Sequence, residues 1–249
     1  MIKVFELLKS DSAATLVEHN RSAALYFTTV LKAATPTTTL HVLIRPLLAD
    51  EWPKYKSIRM RALESDPAPF SGTIEMARAY DDATWNLHAS NVFLAFPLDK
   101  ALDDGGAEAE EAIGVAGVVD STIMGEASNT QPKSGKKMGE YVSVWVAPEY
   151  RGMGIALRLT QYGFVFAQQR RYQVLNITMG LDNPSGTNVY RRAGYGERRL
   201  DEVAECIPSL EPSIRQFIAK GGSQGKVSLQ EANAMFPPHT GVFLQAEIQ

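Results

Sequence analysis

The stretch Val144-Trp145-Val146-Ala147-Pro148-Glu149-Tyr150-Arg151-Gly152-Met153-Gly154-Ile155-Ala156-Leu157 decides how this chain is read. An apolar strand runs into a proline, an arginine and two glycines follow, and a helix starts without a gap. Such a strand-turn-helix builds an anion site. The turn's N–H groups point outward and the helix dipole adds positive potential. The ligand expected from these residues alone is one that carries phosphate.

Working outward, the strand before the turn covers Glu140 to Val146, with Val142, Val144 and Val146 on one face. The helix after it runs from Ile155 to Arg171, and Val174 to Met179 alternates as a strand. Asn183-Pro184 breaks the chain, Ser185 to Ala193 is a short helix ended by Gly194, and Tyr195 to Leu200 is another strand. Upstream, His41 to Arg45 is a short β-rich run. A helix starts at Asp50, with Asp50 as its N-cap, and closes at Ser65-Asp66-Pro67-Ala68-Pro69. Ser71 to Tyr80 reads as a second helix, and a short segment starts at Trp85. Asn91 to Phe96 and Ala112 to Asp120 are strands, the latter marked by Gly114 and Gly117 as bulged or closely packed. Gly241 to Ile248 is a final strand. Ser10 to Ala34 has helical spacing through Ala14, Val17, Ala24, Leu25, Val30 and Leu31, and Thr35-Pro36-Thr37-Thr38-Thr39 ends it.

The fold class expected is α/β (α+β). A mixed, mostly antiparallel sheet of six to seven strands is flanked by helices, with one parallel strand-helix-strand crossover over 140–179. Residues 1–39 are read as a helical extension and linker. Residues 40–249 are read as one domain with insertions at about 97–111, 121–139 and 201–240.

Composition narrows the function classes. The 249 residues are 45% hydrophobic and 21% charged, enough for a globular core, and the formal net charge of -3 gives no field for nucleic acid or an anionic membrane. One cysteine, Cys206, rules out an internal disulfide framework and suits a reducing compartment. His19, His41, His88 and His239 have no metal-ligand spacing, so no metal is expected. No run is long enough to span a bilayer, and acidic Glu6, Asp11 and Glu18 argue against a targeting peptide. A cytoplasmic location is expected.

A mononucleotide P-loop would need Lys-Ser or Lys-Thr where this helix has Ile155-Ala156-Leu157, and a dinucleotide fingerprint would need a third glycine. What remains is Arg-x-x-Gly-x-Ala over Arg151 to Ala156. With its strand approach, it resembles the pyrophosphate-cradling loop of the GNAT superfamily of acetyl-CoA-dependent N-acetyltransferases. Asn183, Tyr190 and Gly194-Tyr195 resemble that family's Asn…Tyr-x-x-x-Gly-Phe signature, with Tyr195 in place of Phe. Ile44-Arg45-Pro46-Leu47, Asp50-Glu51-Trp52, Arg59-x-x-Ala62-Leu63 and Pro69-Phe70-Ser71 are similar to its first strand and paired helices. The resemblance covers about residues 41 to 200.

The resemblance implies acetyl transfer from acetyl-CoA to a primary amine of a small molecule by direct attack in a ternary complex. Backbone N–H groups of Gly152, Met153, Gly154, Ile155 and Ala156 would hold the pyrophosphate. Arg151 would add charge there, or pair with Glu149. The main chain of Val144 and Val146 would line the pantetheine, with an N–H near Val144 polarising the thioester carbonyl. Asn183 would bond the pantetheine, cap a helix, or do both. Tyr190 is the candidate general acid for the leaving thiolate and Glu140 the nominee for base, with Glu75 and Glu126 as weaker options. Acceptor specificity would lie in residues 50–90 and 200–245. The partner expected is a small-molecule amine, with the chain a monomer or homodimer. Two other readings stay open. One is protein N-terminal or lysine acetylation. The other is a non-catalytic acyl-CoA-binding or interaction module.

Overall fold

In the computed structural model, residues 14–19, 22–31, 38–70, 72–120, 135–179, 183–197 and 242–248 are described. The expected insertion over 201–240, most of that over 121–139, and Cys206, Glu126 and His239 lie outside them. The chain divides into two compact units. One is Lys3–Gly117 with Ser143–Val165, and the other is built mainly of Val118–Val142 and Phe166–Gln249.

The first unit carries β1 (Ala14–His19), β2 (Ser22–Leu31), β3 (Thr38–Pro46) and β4 (Val92–Leu98), and β5 (Gly114–Asp120) starts in it. Neighbours pair antiparallel in the order β1-β2-β3-β4-β5. The first two strands correct the helical reading of Ser10 to Ala34. Ala24 and Leu25 are adjacent in sequence and both fully buried, so β2 has no polar face and its period-two signal vanishes. The β-forming run Tyr26-Phe27-Thr28-Thr29-Val30 then decides the conformation. With this hairpin the described residues hold nine strands rather than six or seven.

Helices α1 (Trp52–Ser65), α2 (Ile74–Arg78) and α3 (Asp82–Ala89) follow β3. Thr73 and Asp81 cap the latter two by accepting N–H bonds from Met76 and Thr84. The first helix is capped differently from expectation. Its N-cap residue is Glu51, not Asp50, and no side chain closes it. Glu51 is instead committed to Arg45. That guanidinium, 4% exposed, donates to both Glu51 oxygens, to both Glu108 oxygens and to the Pro46 carbonyl. All five of its N–H groups are thereby used, and Phe96 lies 4.7 Å beneath it. Glu108 comes from the expected insertion at 97–111, which is therefore part of the unit's frame. Below α1–α3, Tyr55, Ile58, Trp85, Leu94, Phe96, Val115 and Trp145 form the core.

The second unit holds the start of β6 (Met138–Val146), then β7 (Val174–Met179), α5 (Pro184–Ala193), β8 (Gly196–Glu197) and β9 (Val242–Glu247), in the order β6-β7-β9-β8. Met138–Glu140 pairs parallel with Val174–Asn176, which is the expected crossover, and β9 pairs antiparallel with both β7 and β8. Gly139 is needed for packing: a Cβ there would come within 2.9 Å of Val118 and 3.3 Å of Leu175 and Tyr172. The crossover helix, α4 (Ile155–Gln169), begins in the first unit and ends in the second.

Candidate active site

In the first unit, the strand-turn-helix is built as its residues dictate. The C-terminal half of β6 enters a single 3-10 turn over Pro148–Tyr150, and α4 starts at Ile155. Gly152 and Gly154 both have positive φ, 74° and 83°, a conformation that penalises any Cβ. A Cβ added to Gly154 would meet nothing within 4 Å, so the space over the turn is open. The first turn of α4 has no acidic residue to compete for its orphan N–H groups. The expected anion cradle of Gly152, Met153, Gly154, Ile155 and Ala156 therefore has both donors and room.

The turn is held from behind by residues the sequence reading assigned to a separate extension. Thr29 Oγ1 of β2 donates to the Met153 carbonyl at 3.0 Å. Tyr162 of α4 donates to the Ala23 carbonyl. Arg158 stacks its guanidinium 5.7 Å from the Phe27 ring centre. Gly114 lets α4 approach β5, since a Cβ there would come within 3.0 Å of Leu159 and 3.4 Å of Ile155. Of the two explanations for that glycine, close packing is the one found.

Arg151 does not pair with Glu149, which faces Arg61 at 3.8 Å. Its guanidinium binds Asp66, and its Nε donates to the Val146 carbonyl at 2.9 Å. The same Asp66 accepts from Trp145 Nε1 at 2.9 Å. Hydrogen bonds from Arg151, and then from Trp145, hold the Asp66 carboxyl below its ordinary pKa. Sequence reading had used Asp66 only as a helix stop. Val146 is buried with its carbonyl taken by Arg151, and Val144 is half-buried. Between Val142 and Val144, Ser143 has φ of 60°, which breaks the plain alternation expected of this strand.

Helices α1 to α3 of the same unit bring together a second group. Tyr55 and Arg59 are one turn apart on α1, and Tyr80, Trp85 and His88 come from the α2–α3 region. Tyr80 and Tyr55 pack edge-on to Trp85, at 5.4 and 5.7 Å, and Tyr80 edge-on to His88 at 5.1 Å. Burial raises the Tyr55 pKa, opposed by Arg59 and by a hydrogen bond with Ser143. Burial and the Arg59 charge lower that of His88, so its imidazole stays neutral near pH 7. Motif reading could not find this group, because its members share no spacing. Glu75 lies exposed in the first turn of α2.

The second unit places Glu140, Asn183 and Tyr190. Glu140 is half-buried, in register with Asn176 of β7. Asn183 caps α5, its Oδ1 accepting from the Gly186 N–H at 2.8 Å, so the capping reading is found. Tyr190 is 5% exposed and packs edge-on to Tyr195 and Tyr141, at 5.9 and 6.1 Å. Burial pushes its phenol well above the ordinary tyrosine range, so it stays protonated. Burial does the same to Tyr195, helped by the neighbouring Tyr141 and Tyr190 phenols and the Glu140 carboxylate. Among the described residues, no group of three or more His, Cys, Asp or Glu could hold a metal ion, and no helix is long and apolar enough to cross a membrane.

Comparison with known proteins agrees with this architecture. A mycothiol acetyltransferase from Cellulomonas flavigena is 28% identical over 79 residues, 32% of this chain and 23% of that protein. The chain thus spans about a quarter of the length of that curated relative. A chain of the NatC complex, solved with Gag peptide and CoA, superposes with a TM-score of 0.50 at 15% identity over 84% of this chain and 99% of its own. A ribosomal-protein-alanine N-acetyltransferase from Brucella melitensis gives 0.48 at 17% identity, over 82% and 99%. The profile of the acetyltransferase (GNAT) family matches residues 57–195, more than half of the sequence, and the chain belongs to that family.

Proposed function

We propose that the chain is an acetyl-CoA-dependent N-acetyltransferase acting on the primary amine of a small molecule. The observation that carries the donor half is the Gly152–Ala156 turn, with two positive-φ glycines, open space above Gly154 and a helix start free of acidic residues. Such a cradle suits the pyrophosphate of CoA. Its fixed N–H dipoles need no reorganisation to accept an anion. The Asp66–Arg151 pair orients the turn rather than lending a free charge, since the guanidinium is already bound to Asp66 and Val146.

In this reading the amine nitrogen attacks the thioester carbonyl carbon, a C–N bond forms and the C–S bond breaks. The Val144 N–H donates to the carbonyl oxygen as negative charge grows on it. The Tyr190 phenol gives its proton to the departing thiolate. Glu140 takes a proton from the amine, directly or through water. The Asn183 amide nitrogen, not used in the cap, bonds the pantetheine. The chain works in the cytoplasm as a monomer or homodimer.

Thermal denaturation with acetyl-CoA tests the donor half. A ligand at about 100 times its Kd adds about 2.7 kcal/mol of stability. The expected result is a saturable rise in Tm with acetyl-CoA and CoA. No rise at saturating concentration overturns the reading.

A further inference from the structure

Arg45 and Arg59 of the first unit both lie over phenylalanine rings, and they differ in one respect. Arg45 has every N–H satisfied by two carboxylates and a carbonyl. Arg59 lies over Phe70, 4.3 Å from the ring centre, and its NH1 nitrogen is shut off from solvent with no hydrogen-bond partner. Among the described residues no carboxylate pairs with it. Burial lowers its pKa, and only the Tyr55 and Tyr80 phenols oppose this. A guanidinium does not deprotonate under working conditions, so the charge stays, and a half-buried cation with one N–H group shut off from both water and an anion is costly. Beside it, Trp85 Nε1 is a second buried N–H donor without a partner. The groups around them, Tyr55, Tyr80, Trp85 and His88, carry no negative charge near neutral pH. What these donors lack is an anion.

We propose that Arg59 binds a carboxylate of the acyl acceptor, so that the acceptor is an amine that also carries a carboxylate, an α-amino acid being its most compact form. This deepens the transferase reading and rests on it. Three points fix the chemistry. The guanidinium fork matches a carboxylate with two parallel hydrogen bonds. The Arg59 charge sits among aromatic rings, with Lys56 Nζ also 5.7 Å from the Trp85 ring centre, so the group favours an anion. Position supplies the third. Tyr55, one helical turn from Arg59, has its phenol near Ser143, and Ser143 directly precedes Val144, whose N–H faces the developing charge in the proposed reaction. A carboxylate at Arg59 would thus keep an amine only a few bonds away on the Val144 side of the unit.

The test compares free α-amino acids with their primary amides, and reads kcat/KM by release of the CoA thiol from acetyl-CoA. The free acids are expected to exceed the amides by at least about 10-fold, the scale of a lost charged hydrogen bond. R59Q should abolish that preference, and R59K, with a point charge but no fork, should restore part of it. Equal use of amides by the wild type, or an undiminished preference in R59Q, overturns the proposal. A second arm does not need turnover: with CoA present, free amino acids should raise the wild-type Tm and amides should not. If CoA raises the Tm but no amine of either kind is acetylated, the transferase reading fails, and the melting arm still decides whether Arg59 has a carboxylate ligand. Melting of R59Q alone shows whether the variant folds.

Discussion

Thr29 Oγ1 donates a 3.0 Å hydrogen bond to the carbonyl of Met153, joining the second strand of the chain to the centre of the glycine turn over Gly152–Gly154. The N-terminal hairpin is therefore a support of the site and not an appendage. T29V removes the donor and leaves the Met153 carbonyl without it, at a cost of about 1 kcal/mol. Denaturant melts should show this loss, and acetyl-CoA titration should show weaker binding with it. Deletion of residues 1–37 also removes the Ala23 acceptor of Tyr162 and the Phe27 platform of Arg158. It should abolish the thermal response to acetyl-CoA. A truncated chain that still binds would show that the hairpin is dispensable.

That role was hidden in the sequence for a physical reason. Ala14, Val17, Ala24 and Leu25 fall at helical intervals, while burial of both faces of β2 erased the alternation that marks a strand. The turn itself was legible because its glycines, strand and helix are contiguous, and each local signal agrees with the next. Asn183 was legible as a cap for the same reason. Asp66, Arg59 and Glu108 were not. Asp66 looks like a helix stop until Arg151 and Trp145, about eighty residues away, are seen to share its carboxylate. The lack of a partner at Arg59 exists only in three dimensions.

Asp66 links α1 to the turn through Arg151. D66N keeps the shape but loses the charge, and should loosen the loop by about 1 kcal/mol. Acetyl-CoA affinity should fall, with the far-ultraviolet spectrum unchanged. Calorimetric titration of the variant measures this directly. Wild-type affinity in D66N would remove the pair from the account.

Glu51 makes acid stability a second test. Burial alone would raise its carboxyl, but hydrogen bonds from Arg45, the Leu48 N–H and Lys54 outweigh this and hold it at about 2. A carboxyl whose folded pKa is depressed gives stability that is complete above its unfolded value and lost as pH falls through the folded one. The contribution should therefore disappear between roughly pH 4.5 and pH 2. E51Q should be less stable than wild type at pH 7, and the difference should shrink as pH approaches 2. A constant difference across that range would show that the Arg45–Glu51 pair is not what titrates.

Gly154 is constrained by its φ of 83° and not by crowding. G154A should cost about 1–2 kcal/mol from the left-handed backbone. It should also weaken acetyl-CoA binding by filling the open space. Stability and binding should fall together. Loss of stability with intact binding would mean that the ligand does not approach this turn.

Tyr190 is buried and kept protonated by desolvation. Y190F should lower kcat by about 100-fold or more with little change in acetyl-CoA affinity. Because burial raises the phenol pKa, the acid form persists upward in pH. The wild-type rate should then show no alkaline fall from Tyr190 below about pH 10, the ordinary tyrosine value. An unaltered kcat in Y190F would leave Tyr190 as packing for Tyr141 and Tyr195.

Release of the CoA thiol across a panel of primary amines measures acetyl transfer from acetyl-CoA to an amine. Thiol release is expected to depend on both acetyl-CoA and a small-molecule amine, with formation of the acetylated amine in equal amount. Saturable CoA binding without amine-dependent thiol release from any member of the panel would contradict it.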